Sequence, residues 1–295
     1  MRKALQDEIE AGHRKHPYTL GLYEKAMPSD LNWCEKLTIA KKIGYDFLEI
    51  SIDESDEKLA RLEMSKAERL ELVEIMYKVG IPIRTMCLSG HRKYPMGSSD
   101  LAICDKGMEI MRQAIQLADD LGIRIIQLAG YDVYYEKSSK KTKKRFCENL
   151  KKATMLAAER GVLLAFETME TEFMNTVEKA MYYVGKIKSA YLQVYPDSGN
   201  LKNASLLYGT DMYLDLEKGK GHIAAMHLKE TIPEKYREIK FGTGHVDFEK
   251  TIDCAWKMGV RRYVTELWYT GNEEWETEIK NAYDMMEKIL EEREC

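Results

Sequence analysis

No stretch of this sequence approaches the roughly 20 consecutive apolar residues that span a bilayer, which excludes a membrane-spanning helix. Residues 1–17 mix acids and bases with few apolar side chains and hold no signal-peptide core. They read as a polar leader ahead of one cytoplasmic domain over 18–295. There is no C-x-x-C pair: the 6 cysteines are scattered, which fits reduced thiols and not a disulfide framework or a structural zinc site. An excess of one charge is missing too. The 45 basic residues nearly cancel the 49 acidic ones, leaving a net charge of -4 and no overall field to draw nucleic acid. Only 6 prolines occur in 295 residues, and no Pro-, Gly- or Ser-rich linker divides them into two domains. With 44% hydrophobic residues, intrinsic disorder is excluded as well.

What the sequence does have is a repeated phrase. A long charged amphipathic stretch leads to a glycine, then to a short apolar and β-branched run with a polar end. Examples are Gly44 into YDFLEISID, Gly80 into IPIRTMCLSGH, Gly122 into IRIIQLAGYD, Gly161 into VLLAFETME, Gly221 into HIAAMHLKET and Gly259 into VRRYVTELW. A glycine just past a helix accepts the left-handed conformation that closes it, so each marks a helix end and a strand start. YTLGLYE (18–24) and AYLQVYPD (190–197) add two strands without the leading glycine. Between strands, the spacing predicts helices over 65–79, 103–121, 142–160, 176–188 and 273–291, with apolar residues three and four apart, as at Leu70, Val73, Met76 and Tyr77. Eight strands alternating with helices call for a closed (β/α)8 TIM barrel. An open doubly wound sheet would carry a glycine fingerprint after its first strand, and LGLYEKAMP has none. The basic run KSSKKTKKR (137–145) falls where the helix after the fourth strand begins and reads as a solvated helix start.

In such barrels the chemistry sits at the C-terminal strand ends, so polar residues that terminate an apolar run are the informative ones. Glu167, Asp197, His227 and Glu266 end strands five to eight, in AFETM, VYPDSGN, AMHLKE and VTELW. Neighbouring strands stand about 45° apart around the axis, so four in succession can enclose one cation over half the rim. Any one of these residues alone would serve equally in a salt bridge; four at matching depth point to a metal. Three carboxylates and an imidazole form a hard site suited to one divalent Mn, Mg or Zn ion. For an anion, the candidates are His91 and Arg92 after strand three, Lys229 just beyond His227, and the amides of Gly242 and Gly244. Lys229 would otherwise balance the acidic site, and the two glycines would otherwise make an ordinary turn. Glu49, ending strand two, is expected to orient a hydroxyl or to pair with Lys25, and Tyr131, Tyr134, Tyr135, Trp268 and Tyr269 crowd the expected mouth.

Taken together, YTLGLYEKAMP, FLEISIDE, MCLSGHRKYPMGS, IQLAGYDVYYE, YPDSGNL, HLKET and FGTGHVDFE resemble the L-ribulose-5-phosphate (L-xylulose-5-phosphate) 3-epimerases. These are xylose-isomerase-like barrels of bacterial pentose and ascorbate utilisation, and the resemblance runs from Tyr18 onward. It implies that Glu167, Asp197, His227 and Glu266 hold the metal, that Glu167 and Glu266 are the acid–base pair, and that the substrate is a small phosphorylated ketopentose. Asn200 stands where related ketose epimerases tend to carry a substrate-touching histidine, so its contact with the sugar would differ.

Elementary chemistry runs parallel to that resemblance. Epimerising a carbon next to a ketone removes a proton from one face and returns one to the other, which takes two facing bases; shifting a proton along one face takes a single base. Glu167 and Glu266 stand three strands apart, about 135° around the rim. A hexulose-6-phosphate isomerase or a 3-epimerase of unphosphorylated ketoses would share the barrel. A DNA-repair endonuclease on the same barrel would gather two or three zinc ions with many histidines, whereas only His91 and His227 of the 6 histidines here fall at strand ends. A homodimer paired through exposed helices is expected, with neither nucleic acid nor membrane as a partner.

Overall fold

The computed structural model describes residues 16–293, so all but the end of the expected polar leader lies outside the described residues. Eight parallel strands follow one another around a ring: β1 (Thr19–Tyr23), β2 (Phe47–Ile52), β3 (Ile83–Leu88), β4 (Ile125–Leu128), β5 (Leu163–Glu167), β6 (Leu192–Tyr195), β7 (Met226–Leu228) and β8 (Arg262–Thr265). Outside them lie helices α1 (Trp33–Ile43), α2 (Asp56–Ala60), α3 (Lys66–Val79), α4 (Leu101–Leu121) and α5 (Lys140–Arg160). The second half adds α6 (Val177–Ile187), α7 (Ser198–Tyr208), α8 (Met212–Glu217), α9 (Phe248–Lys257) and α10 (Trp275–Glu291).

Local chemistry sets these boundaries. Ser65 caps α3 in a reciprocal box with Glu68, and Gly80, at φ +77°, closes the same helix in the left-handed conformation that the leading glycines predict. α4 buries a face that includes Met111, Ala114, Ile115 and Ala118, the three-and-four spacing of a helix packed on a sheet.

The apolar part of the barrel interior takes one side chain from each of seven strands: Tyr23, Phe47, Cys87, Ile125, Ala165, Tyr195 and Val264 form a single buried cluster with Ala225 beside β7. Gly21 sits among them because the Phe47 ring occupies its space; a Cβ added there would lie 2.4 Å from that ring. A larger cluster fills the layer between strands and helices, where complete burial of each Leu or Ile stabilises by about 1.5–3 kcal/mol.

Closure is uneven. β1 pairs with both β2 and β8, but β6 and β7 meet only through isolated bridges, Val194 with Ile223 and Asp197 with His227. Two candidate metal ligands therefore form part of the seam. No helix among the described residues is long and apolar enough to cross a membrane, and the five described cysteines are free thiols.

Candidate metal centre and active site

Four side chains converge at the C-terminal mouth. Glu167, Asp197, His227 and Glu266 each offer a ligand atom, all four lie within 4.8 Å of one another, and all are buried. Glu167 is the last residue of β5, and Glu266 follows β8 directly. Asp197 caps α7 with Oδ1, which accepts the Asn200 amide at 2.6 Å, while Oδ2 is buried without any hydrogen-bond partner. An orphaned carboxylate oxygen costs free energy unless something absent from the protein satisfies it. His227 Nδ1 faces the same point, 3.1 Å from Glu266 Oε2, 3.7 Å from Glu167 Oε1 and 3.9 Å from Asp197 Oδ2. This donor set, with an unsatisfied oxygen aimed inward, fits a divalent cation.

The electrostatics agree. Burial and the neighbouring Glu266 raise the Glu167 carboxyl. Burial raises Asp197 well above the usual carboxylate range despite the nearby Lys229 ammonium, because Glu266 and Glu167 crowd it. Burial disfavours a charged His227, yet the Glu49 and Glu266 carboxylates raise its pKa well above the ordinary value. Glu266 is the exception: Lys229 and His227 overcome its burial and hold it well below the carboxylate range. The two glutamates thus sit in environments that push them apart.

The other expected site residues find different places. Glu49 does not pair with Lys25, and the hydroxyl it meets belongs to Tyr195. It is fully buried behind the imidazole, where His227 Nε2–H donates to Oε1 at 2.6 Å and the Tyr195 hydroxyl donates to Oε2 at 3.1 Å. Lys25 instead binds Asp53, and that lysine helps hold Asp53 down to about 2 against its burial. His91 is turned away from the mouth: its ring is buried, with Nε2 3.0 Å from the Gly107 carbonyl, and burial lowers it to about 4. Lys229 Nζ is enclosed by Asn200 Oδ1 at 2.8 Å, Asp197 Oδ1 at 3.2 Å and Glu266 Oε2 at 3.4 Å, the geometry of a counter-charge to the acidic group. Asn200 also donates to the Thr168 carbonyl at 2.7 Å, so both ends of its amide are engaged.

The expected amide cradle at Gly242 is occupied from within. The buried Glu230 carboxylate accepts the N–H groups of Thr231, Gly242 and Val246, each at 3.1 Å. Gly244 has no room for a side chain, since a Cβ there would lie 2.2 Å from the Thr231 carbonyl oxygen. Glu230 thereby folds the segment after β7 back over the mouth. That segment brings in Arg237, which the sequence reading missed because it lies in an irregular loop and ends no apolar run.

The cavity above the acidic group is small, about 50 Å³, and Lys25, Arg92, Arg237 and Trp268 line it. Arg92 does reach it, from beside Tyr131 and Tyr134, 3.7 Å from Glu54 and 3.9 Å from Glu170. Tyr135 is largely exposed, at 69%, and donates to Glu54.

Comparison with known proteins places this geometry. The profile of the xylose isomerase-like TIM-barrel family matches residues 37–289. The chain is 42% identical over 266 residues to the L-ribulose-5-phosphate 3-epimerase UlaE of Escherichia coli (strain SMS-3-5 / SECEC), covering 90% of this chain and 92% of that protein. Identity and coverage are the same for the UlaE of Shigella sonnei (strain Ss046). Among solved structures, D-psicose 3-epimerase from Clostridium cellulolyticum H10 superposes with a TM-score of 0.78 at 15% identity, covering 92% of this chain and 99% of that one. An L-ribulose 3-epimerase superposes at 0.73 with 18% identity, covering 93% and 95%; likeness at that identity speaks for the fold alone. The chain is an isomerase of the xylose isomerase-like TIM-barrel family and belongs, within it, with the L-ribulose-5-phosphate 3-epimerases.

Proposed function

We propose that this chain interconverts L-ribulose 5-phosphate and L-xylulose 5-phosphate by inverting C3. The observation that carries the reading is the buried group Glu167, Asp197, His227 and Glu266, in a chain 42% identical to UlaE. A divalent cation held by these four residues would supply positive charge where negative charge develops on the sugar oxygens. Glu266, kept ionised by Lys229 and His227, is poised to take the C3 proton, and Glu167, whose carboxyl is raised, to return one from the other face. The roles exchange in the reverse direction. Trp268 and the buried ring of Tyr23, which line the cavity, keep bulk water from the enediolate formed between the two transfers.

With Lys229 buried beneath the cavity and His91 turned inward, the more exposed cations of the cavity, Lys25, Arg92 and Arg237, are the ones to meet a phosphate, although each already faces a carboxylate. Arg237→Ala should raise KM for the phosphorylated pentulose by roughly tenfold or more while leaving kcat for the unphosphorylated sugar little changed. Equal losses on the two sugars would argue against phosphate contact there. For the chemistry, the metal-loaded chain is incubated with L-ribulose 5-phosphate in D₂O and C3 is followed by NMR. Deuterium at C3 with formation of the xylulose isomer is expected, and Glu167→Gln and Glu266→Gln should each abolish turnover with metal retained. Wild-type turnover in either variant would sink the two-base reading.

A further inference from the structure

A second cavity lies away from the mouth. A groove of about 610 Å³ runs between α5 and α6, and Lys140, Lys143, Lys144, Lys179 and Lys186 line it against a single acid, Glu172. Its wall is aromatic: Phe173 and Tyr183 pack edge to face against Phe146 at 5.3 Å and 5.5 Å and lie 5.6 Å from each other, and Tyr182 stands 60% exposed beside them. Among the described residues, Lys140, Lys143, Lys179 and Lys186 have no carboxylate within 4.0 Å, and Lys144 has only Glu148 at 3.8 Å. Lys143 rests over Phe173 at 5.6 Å and Lys186 over Tyr182 at 5.5 Å, while Lys179 Nζ donates to the Glu172 carbonyl, to Asn175 Oδ1 at 2.8 Å and to the Tyr208 hydroxyl at 3.0 Å.

The placement of this charge runs against the helix that carries it. α5 has no acid in its first turn, although the N-terminus of a helix carries partial positive charge that acids stabilise and lysines oppose. The basic run that reads from sequence as a solvated helix start is thus gathered, with lysines of a second helix, around a concave aromatic surface. A groove of this size, with flat apolar walls and convergent cations, has the make-up of a small-molecule site for a ligand that is both ring-bearing and strongly anionic.

We propose that the groove binds a nucleoside polyphosphate, its phosphates among Lys140, Lys143 and Lys144 and its base against Phe173 and Tyr182. The net excess of lysines over acids suits the three to four negative charges of such a ligand. The site communicates with the mouth through a short path: Glu167 and Glu170 line the catalytic cavity, while Glu172 and Phe173 of the same loop line the groove. Occupancy of the groove therefore bears on the loop that positions Glu167.

The test is isothermal titration of the metal-loaded chain with ATP, with tripolyphosphate and with adenosine, beside the variant Lys140→Glu/Lys143→Glu/Lys144→Glu. Acids in the first turns of α5 favour the helix, so this variant should melt no lower than the parent. ATP should bind the parent, weaken with added salt, and bind the variant at least about tenfold less well. Tripolyphosphate should bind more weakly than ATP, adenosine not at all, and Phe173→Ala should erase the advantage of ATP over tripolyphosphate. ATP binding the variant and the parent equally would place it elsewhere, at the metal for example, and would overturn the proposal. Absence of ATP binding, or tripolyphosphate binding as tightly as ATP, would do the same.

Discussion

Glu49 shows how a residue that the sequence places near the site can be misread as to what it touches. It is the third residue of β2 and not its last, and sequence spacing cannot tell a side chain that faces the substrate from one that lies beneath a candidate ligand. In the structure it is a fully buried acceptor for His227 Nε2–H, which leaves Nδ1 as the atom facing Glu167, Asp197 and Glu266. Such outer carboxylates fix the tautomer and the aim of a ligating imidazole. Glu49→Gln should lower affinity for the divalent ion by about 10–100-fold, measured by competition against a chromogenic chelator, with little change in far-UV circular dichroism. Unchanged affinity would refute this role. The cluster of Glu167, Asp197, His227 and Glu266 was legible because each ends an apolar run at the same depth. Lys229 was legible as a charge near the site, but which partner it takes depends on Asn200 and Asp197, brought beside it by the start of α7.

At the scale of elements, helices and strands were the easiest to read. The five helices expected from spacing appear with both ends within two residues of expectation, because capping serines, leading glycines and apolar periodicity act locally. Loops were not legible, because their shape depends on contacts distant in sequence. The segment after β7 is the clearest instance: FGTGH looks like an anion cradle until Glu230, twelve residues before Gly242, is found already in it. This carboxylate organises a segment that includes Glu234 and Glu238 in left-handed backbone conformations on either side of Arg237. Glu230→Gln is expected to loosen the loop, raising KM severalfold with a smaller effect on kcat, and to speed amide exchange at Gly242 and Val246, with Glu230→Asp intermediate. If exchange at those amides stayed at the parent rate, Glu230 would not be what holds the loop. Gly244→Ala should do more damage, since the added Cβ meets the Thr231 carbonyl and the Glu230 carboxylate together.

For the whole molecule, acid sensitivity has an identifiable origin in His91. Burial lowers this histidine from 6.5 to about 4 in the folded chain, so the unfolded chain binds more protons between those values. Folding stability contributed by the neutral ring is complete above about pH 6.5 and is lost as the pH falls towards 4, by up to about 3 kcal/mol. Urea unfolding at steps between pH 7 and pH 4 should show this slope, and His91→Gln, which keeps a donor for the Gly107 carbonyl, should flatten it. A slope of equal size in the variant would assign the effect to other groups.

The seam between β6 and β7 gives the barrel a weakest joint. Elsewhere neighbouring strands pair in ladders, with one register shift at Leu48 and Glu49 between β2 and β3, but here three amides cross the gap: Val194 to His222, Ala224 to Val194, and His227 to Pro196. Asp197 and His227 flank that joint, so an ion held by both would act as a rivet through the wall of the barrel. Chelation should quicken hydrogen exchange at those three amides by an order of magnitude or more while the β2–β3 ladder keeps its rate. A substitution that ruins the metal centre would then first show itself in a melting curve, as a ring that has come undone.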